Sequence, residues 1–289
     1  MSYRWWSALM AVVQLMAPGA SAALTLVDDL GRRVELAAPA RRIVSLAPFL
    51  TELVFSAGAG ARVVGVSAHS DFPPPARALP VVANANALAM EPLLALKPDL
   101  VLAWRDSIRP EDIERLQRFG IATLVAQAKR LEDVPRLLAL VGEASGLDTQ
   151  HAADAFRARL AALRARHARG PRLRAFVEIW HRPLMSIAGP HWINEALEIC
   201  GAENAFADLP GVAPHVSWEE LYARDPALIV GAGSARDAAQ FRAQWRKRAT
   251  LQAVKQGRLV FVEGDLIQRP TLRLADGVAA LCEAIAALR

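Results

Sequence analysis

The side chains with most to offer a ligand sit directly after short apolar runs. Residues 48–51, 69–72, 104–105, 180–183 and 265–269 carry Phe49, His69, Trp104, Arg105, Trp180, Arg182, Asp265 and Arg269. Aromatic faces with a few polar anchors suit non-covalent capture of a flat or bulky molecule. Covalent chemistry has no comparable signal. The chain has no G-x-S-x-G, no P-loop, no H-E-x-x-H and no C-x-x-C, so no activated nucleophile or metal-hydrolase helix is indicated. Its Ser, His and acidic residues form no local triad pattern, and it is not expected to be an enzyme. The six histidines are 69, 151, 167, 181, 191 and 215. His151 and His167 fall in a long helical pattern and read as solvated, whereas His69, His181, His191 and His215 fall in loops that could face a cleft. Three converging imidazoles would suit a transition metal. Their spacing carries no ligand pattern, so no metal site and no cofactor are expected.

These loops need a scaffold. The chain has 289 residues, 53% hydrophobic and 22% charged, which indicates a globular protein. That length predicts two lobes of roughly 100–150 residues each. The N-terminus reads as a targeting segment. Arg4 precedes an apolar run over residues 5–16, Pro18-Gly19 breaks it, and Ala20-Ser21-Ala22 supplies small residues for cleavage. This is a secretory signal peptide over residues 1–22, too short for the roughly 20 residues of a membrane span. The mature protein is expected to be soluble and periplasmic. Net charge is +5, and losing residues 1–22 removes one Arg and no acid, leaving +4. The basic residues are scattered, so no nucleic-acid partner is expected. Cys200 and Cys282 both lie in the mature chain. In an oxidising compartment an even count favours a disulfide; the alternative is two buried free thiols.

The elements follow from periodicity and punctuation. Residues 24–36 read as a hairpin turning at Asp28-Asp29-Leu30-Gly31. Compact apolar strands are predicted at 42–46, 63–66, 100–103 and 121–125, with a rigid proline loop at 71–75. Helices are predicted from Thr51-Glu52 to Gly58 and over 90–96, 110–120 and 131–146. Residues 148 to about 169 form the longest helical pattern, ended by Gly170-Pro171, and read as a rigid strut. The pattern then partly repeats. Thr51-Glu52 with five residues to Gly58 resembles Asn194-Glu195 with five to Gly201, and Glu91–Val101 resembles Glu219–Ile229. The expected fold is α/β: two Rossmann-like lobes with parallel sheets, joined by one long rigid helix. The divisions are residues 23–147, 148–170 and 171–289. Loops beyond the carboxyl ends of such strands form the binding site.

From about Arg41 onward the chain resembles the periplasmic vitamin B12-binding proteins, within the helical-backbone class of solute-binding proteins. The telling segments are Arg42-Ile43-Val44-Ser45-Leu46-Ala47-Pro48 with Thr51-Glu52-Leu53, Val66-Ser67-Ala68-His69-Ser70-Asp71-Phe72-Pro73, and Ala95-Leu96-Lys97-Pro98-Asp99 with Ala103-Trp104-Arg105. The second lobe adds Leu197-Glu198-Ile199-Cys200-Gly201-Ala202-Glu203-Asn204 and Val216-Ser217 with Glu219. The resemblance implies a monomer that captures cobalamin or a related corrinoid and delivers it to an ABC importer permease dimer. Trp104 matches an aromatic wall residue, Asp265 and Arg269 match a polar pair, and Phe49 and Trp180 lie in matching loops. Glu91 and Glu219 fall where the family pairs one Glu per lobe with importer arginines, and the family's disulfide lands on Cys200 and Cys282. Three positions depart from the pattern. His69 stands where Tyr is usual, and Ala85 and Ala213 where that family has Trp. His69 could serve as a polar loop residue, bond the ligand or approach its cobalt, and Trp180 or Trp218 could replace lost stacking surface. The competing reading is the same architecture around a ferric siderophore or haem. Arg105, Arg182, Arg269 and Arg273 would suit anionic groups, and His69 or His181 could ligate haem iron. A metal-dependent enzyme is the remote alternative.

Overall fold

The computed structural model describes residues 23–84 and 87–289. The predicted signal peptide and Ala85 lie outside the described residues. The chain opens with an antiparallel hairpin of β1 (Leu24–Val27) and β2 (Arg33–Leu36). Buried Asp28 builds its turn, accepting from the Leu30 and Arg32 amides at 3.0 and 2.9 Å, and Gly31 takes the left-handed φ of +73°.

The first lobe follows as β3 (Ile43–Ser45), α1 (Pro48–Ser56), β4 (Val63–Ser67), β5 (Val81–Ala83), α2 (Met90–Ala95), β6 (Leu100–Trp104), α3 (Pro110–Arg118), β7 (Ala122–Ala126) and α4 (Asp133–Ser145). Gly146, at φ +65°, stops α4 in the left-handed cap that glycine adopts freely. Then comes α5 (Gln150–His167). The second lobe holds β8 (Leu173–Glu178), β9 (Trp180–His181), β10 (Leu184–Met185), α6 (Trp192–Ile199), β11 (Ala202–Asn204), α7 (Trp218–Arg224) and β12 (Leu228–Gly233). It ends with α8 (Asp237–Arg246), α9 (Gln252–Lys255), β13 (Leu259–Glu263), α10 (Gly264–Ile267) and α11 (Leu274–Ala286).

Two parallel sheets result, in the orders β5-β4-β3-β6-β7 and β11-β8-β12-β13. Four strands of the first map onto the second in the same order: β4, β3, β6, β7 onto β11, β8, β12, β13. The predicted internal repeat is therefore a repeat of topology. Continuous apolar runs became strands because helices cover both faces. In β6, Leu100 and Leu102 join the central core while Val101 and Ala103 join an outer cluster, the two-residue alternation of a strand. In β8, Ala175 and Val177 face the central core and Phe176 the outer cluster.

The central core does not stop at the lobe boundary. It includes Leu50 and Leu53 of α1, Leu137 and Val141 of α4, Phe156 of α5, and Leu197, Val278 and Leu281 of α6 and α11. α5 buries Ala153 and Phe156 and half-buries Leu160 and Leu163, one stripe of a helix face. Arg157 reaches Glu132 before α4, and Arg159 reaches Asp276 of α11, both at 2.5 Å. Such exposed pairs contribute under about 1 kcal/mol each, but they tie the connecting helix to both lobes. Cys200 and Cys282 form a buried disulfide between the end of α6 and α11, with Cα atoms 4.4 Å apart. Closing so long a loop is worth about 4–5 kcal/mol in the chain-entropy account.

Three local expectations change. α1 begins at Pro48 rather than at Thr51, because proline at the first helical position loses no bond the helix needs. Part of the proline loop winds into a 3-10 turn at Pro74–Ala78. In the second lobe the hairpin β9–β10 separates the strand equivalent to β3 from the helix equivalent to α1, so the repeat carries an insertion.

Candidate ligand-binding cleft

In both sheets the carboxyl ends of the strands open onto hollows. The first lobe has a hollow of about 260 Å³. It is lined by Leu46 to Pro48 after β3, Ser67 to His69 at and beyond the end of β4, and Trp104 at the end of β6. A smaller one of about 130 Å³ lies between the lobes, with Pro48, Phe49, Trp104 and Ala128 on one side and Trp192, Gln268, Arg269 and Pro270 on the other. Trp104 belongs to both hollows, and buried Phe49 meets its ring edge-on at 5.9 Å and 89°. The largest of these hollows, about 760 Å³, opens at the end of the second sheet, lined by Glu178, Trp180, His181, Arg182, Gly231 and Ala232 among others.

One side of the cleft is held by charge. Glu52, 2% exposed on α1, accepts from Arg269 Nη1 at 3.0 Å and from Arg273 Nε and Nη2 at 2.9 and 2.7 Å. Arg269 also pairs with Asp71 at 2.8 Å and Asp265 at 3.0 Å, and reaches the His69 carbonyl at 3.4 Å. The Arg273 guanidinium lies 3.6 Å over the Phe72 ring. Burial opposes the charge on Arg269, but its hydrogen bonds to Asp71 and Glu52 outweigh that and raise its pKa. Asp71 mirrors this: burial pushes its carboxyl up, and the bond to Arg269 pulls it below the ordinary value. Arg269 therefore joins the lobes as well as lining the interlobe hollow. Sequence reasoning did not single out Glu52 or Asp71 as site residues. The available signal was a carboxylate inside the apolar run Phe49-Leu50-Thr51-Glu52-Leu53-Val54, since a charge buried there must be paired.

His69 sits at φ +66°, unusual for a residue with a side chain. A buried set of hydroxyls fixes that turn: Thr51 with Ser45 at 2.9 Å and Ser70 at 3.1 Å, and Ser67 with Ser70 at 3.2 Å. Asp265 lies in the first turn of α10 with half its side chain exposed. Arg105 is exposed, bonds Gln127 at 3.1 Å and lines none of the three hollows. Trp180 is 61% exposed, with its Nε1 donating to the Arg182 carbonyl at 2.8 Å. Trp218 is not a free platform: its ring lies 5.9 Å from those of His181 and Trp245, under the Arg248 guanidinium at 4.0 Å. Ala213 is exposed.

The loop histidines do not converge. His191 caps α6, accepting from the Ile193 amide at 3.1 Å, and burial lowers its pKa from 6.5 to about 4. His215 bridges to Met185, while His181 lines the large hollow. Among the described residues no group of three His, Cys, Asp or Glu side chains could hold a metal ion. Glu91 and Glu219 are both exposed, each in the first turn of its helix, α2 or α7. Those helices lead into β6 and β12, equivalent strands of the two sheets.

The family model described as "Periplasmic binding protein" matches residues 43–266. The chain belongs to the periplasmic binding protein family. Among its relatives, the "Vitamin B12-binding protein" of Vibrio parahaemolyticus is 32% identical over 247 residues, 85% of this chain and 89% of that one. The crystal structure of the periplasmic vitamin B12-binding protein BtuF of Vibrio cholerae superposes with a TM-score of 0.78 at 34% identity, covering 86% of this chain and 98% of that one. A periplasmic heme-binding protein from Pseudomonas aeruginosa also superposes, at TM-score 0.73 and 27% identity, covering 85% of this chain and 92% of that one. The relatives are binding proteins by name, and the fold of this periplasmic binding protein is the one they share.

Proposed function

We propose that this protein captures cobalamin or a closely related corrinoid between its lobes and delivers it to the permease dimer of an ABC importer. One observation carries the reading. Trp104, backed edge-on by Phe49, walls a hollow whose far side comes from the second lobe. An aromatic face rimmed by polar groups suits a broad ring system edged with amides. The vitamin B12-binding relatives, at 32–34% identity over most of the chain, support the same cargo.

In this reading Phe49, Trp104 and Trp180 supply aromatic contact, His69 and Asp265 supply polar contact, and Arg105, outside the hollows, is not among the contacts. Arg269 shapes the cleft by holding Glu52 and Asp71 from the other lobe. Glu91 and Glu219 meet the importer. Two exposed carboxylates on equivalent helices form a paired charge pattern for a two-fold partner, and each also complements its helix N-terminus. The chain acts as an exported monomer, cleaved near Ala22, with lobes over 23–147 and 171–289 and the connecting segment over 148–170. It is a carrier and not an enzyme.

Titrating the purified mature protein with cyanocobalamin, haem and a ferric siderophore tests the cargo, followed by tryptophan fluorescence and heat. Saturable one-to-one binding of cyanocobalamin is expected. Saturation by an iron ligand alone overturns the corrinoid assignment. Haem is the second reading, favoured by the likeness to the Pseudomonas heme-binding protein and by His181 on a hollow wall.

A further inference from the structure

The large hollow of the second lobe contains a pair of titratable groups that the proposed cleft does not use. His181 Nδ1 lies 3.3 Å from Glu178 Oε2, with the two side chains only 16% and 11% exposed. The hairpin β9–β10, absent from the first lobe, delivers this imidazole to the end of the central strand β8. The ring is wedged against Trp218 and Trp245, both at 5.9 Å and near edge-on, so its plane is set by packing.

With Nδ1–H directed at the carboxylate, the lone pair of a neutral imidazole is on Nε2. Among the described residues Nε2 has no hydrogen-bond partner, and it is not among the fully buried unpaired atoms; its side chain lines the hollow. A carboxylate holding one imidazole nitrogen while the other stays free is the arrangement of metal-ligating histidines. Yet no group of three metal-binding side chains occurs among the described residues, and Glu178 is engaged with Nδ1. A lone oriented imidazole cannot retain a free ion. It can bind a metal that already carries its other ligands, as the metal of a tetrapyrrole-like macrocycle does.

We infer that His181, positioned by Glu178, is an axial ligand to the macrocycle-held metal of the cargo. Resting on the corrinoid reading, the metal is cobalt(III) and the favoured cargo is a corrinoid whose lower face carries no benzimidazole. The Nε2 lone pair forms the Co–N bond as a coordinated water leaves. The Nδ1 proton stays on the ring, shared with Glu178, and the cobalt keeps its oxidation state. A complete cobalamin with its own base bound has that face occupied and gains nothing from His181. The residue therefore sets preference among corrinoids without being needed for capture itself.

The test mixes the purified mature protein with aquocobinamide and, separately, with cyanocobalamin and hemin, recording visible spectra and affinities. Cobinamide should show a saturable one-to-one band shift from replacement of water by imidazole, and cyanocobalamin should show none. His181→Ala should abolish the shift and weaken cobinamide binding ~10-fold or more. Cyanocobalamin affinity should fall less than cobinamide affinity, and a wild-type far-UV circular dichroism spectrum reports that the variant is folded. Glu178→Gln should keep the shift and weaken cobinamide ~10-fold. If wild type and His181→Ala bind cobinamide with identical spectra, the axial-ligand role is wrong while corrinoid capture stands. If only hemin shows a His181-dependent shift, the corrinoid assignment is overturned together with the preference. If neither corrinoid binds, the proposed function fails on its own terms.

Discussion

The two lobes share a strand order and differ in what they present at the ends of those strands. The first offers a narrower hollow of about 260 Å³ walled by Trp104, where Arg109 is paired with Asp112 and His69 also lines the wall. The second offers a wider hollow of about 760 Å³ with a carboxylate, an imidazole and a guanidinium on its wall. The imidazole and the guanidinium of the second hollow both come from one insertion, the β9–β10 hairpin. A sheet order fixes where loops emerge, and loop sequence decides the chemistry there. The lobes also differ in how they are tied. Lobe two carries the disulfide and the arginines; lobe one carries the carboxylates that those arginines need.

The largest test breaks that dependence. Glu52→Ala leaves Arg269 and Arg273 without their buried partner and should cost about 3–5 kcal/mol, read by chemical denaturation of the purified protein. An unchanged midpoint would show that the lobes do not lean on this pair. Next is an acid sensitivity confined to the second lobe. His191 has a folded pKa of about 4 against 6.5, so its neutral form stabilises the fold above pH 6.5. That contribution is lost as pH falls from 6.5 to 4, up to about 3 kcal/mol. His191→Asn keeps an N-cap and should flatten stability over that window, with hydrogen exchange locating the change in α6. Smaller again, Trp104→Ala should weaken cyanocobalamin binding by about 2 kcal/mol, as removal of a central aromatic contact does, measured by calorimetry. Trp180→Ala should cost less, since that ring is already 61% exposed. An equal loss from both would erase the contrast between walls. Smallest of all on binding, Glu91→Ala with Glu219→Ala should leave affinity unchanged and impair uptake in cells, because both carboxylates sit on outer helices α2 and α7.

The sequence alone determined what local physics dictates. Apolar runs such as Leu100-Val101-Leu102-Ala103, glycine stops such as Gly146 and the matching Glu91 and Glu219 segments reveal two α/β halves and a long helix. These signals lie within a few residues of one another, where periodicity and capping act. The start of α1 at Pro48 and the 3-10 turn at Pro74–Ala78 slipped because proline signals both an end and a beginning. The candidate site was legible as loops and side-chain types, but not as partnerships. Only the tertiary structure brought Glu52 to Arg269 and Arg273, 217 and 221 residues away, and turned Arg269 from a cleft side chain into a joint between lobes. Only it placed Trp218 beneath Arg248, His191 on a helix start and His181 on a carboxylate. The reason is physical: a buried charge must find a partner wherever packing puts one, and packing is decided by the whole chain.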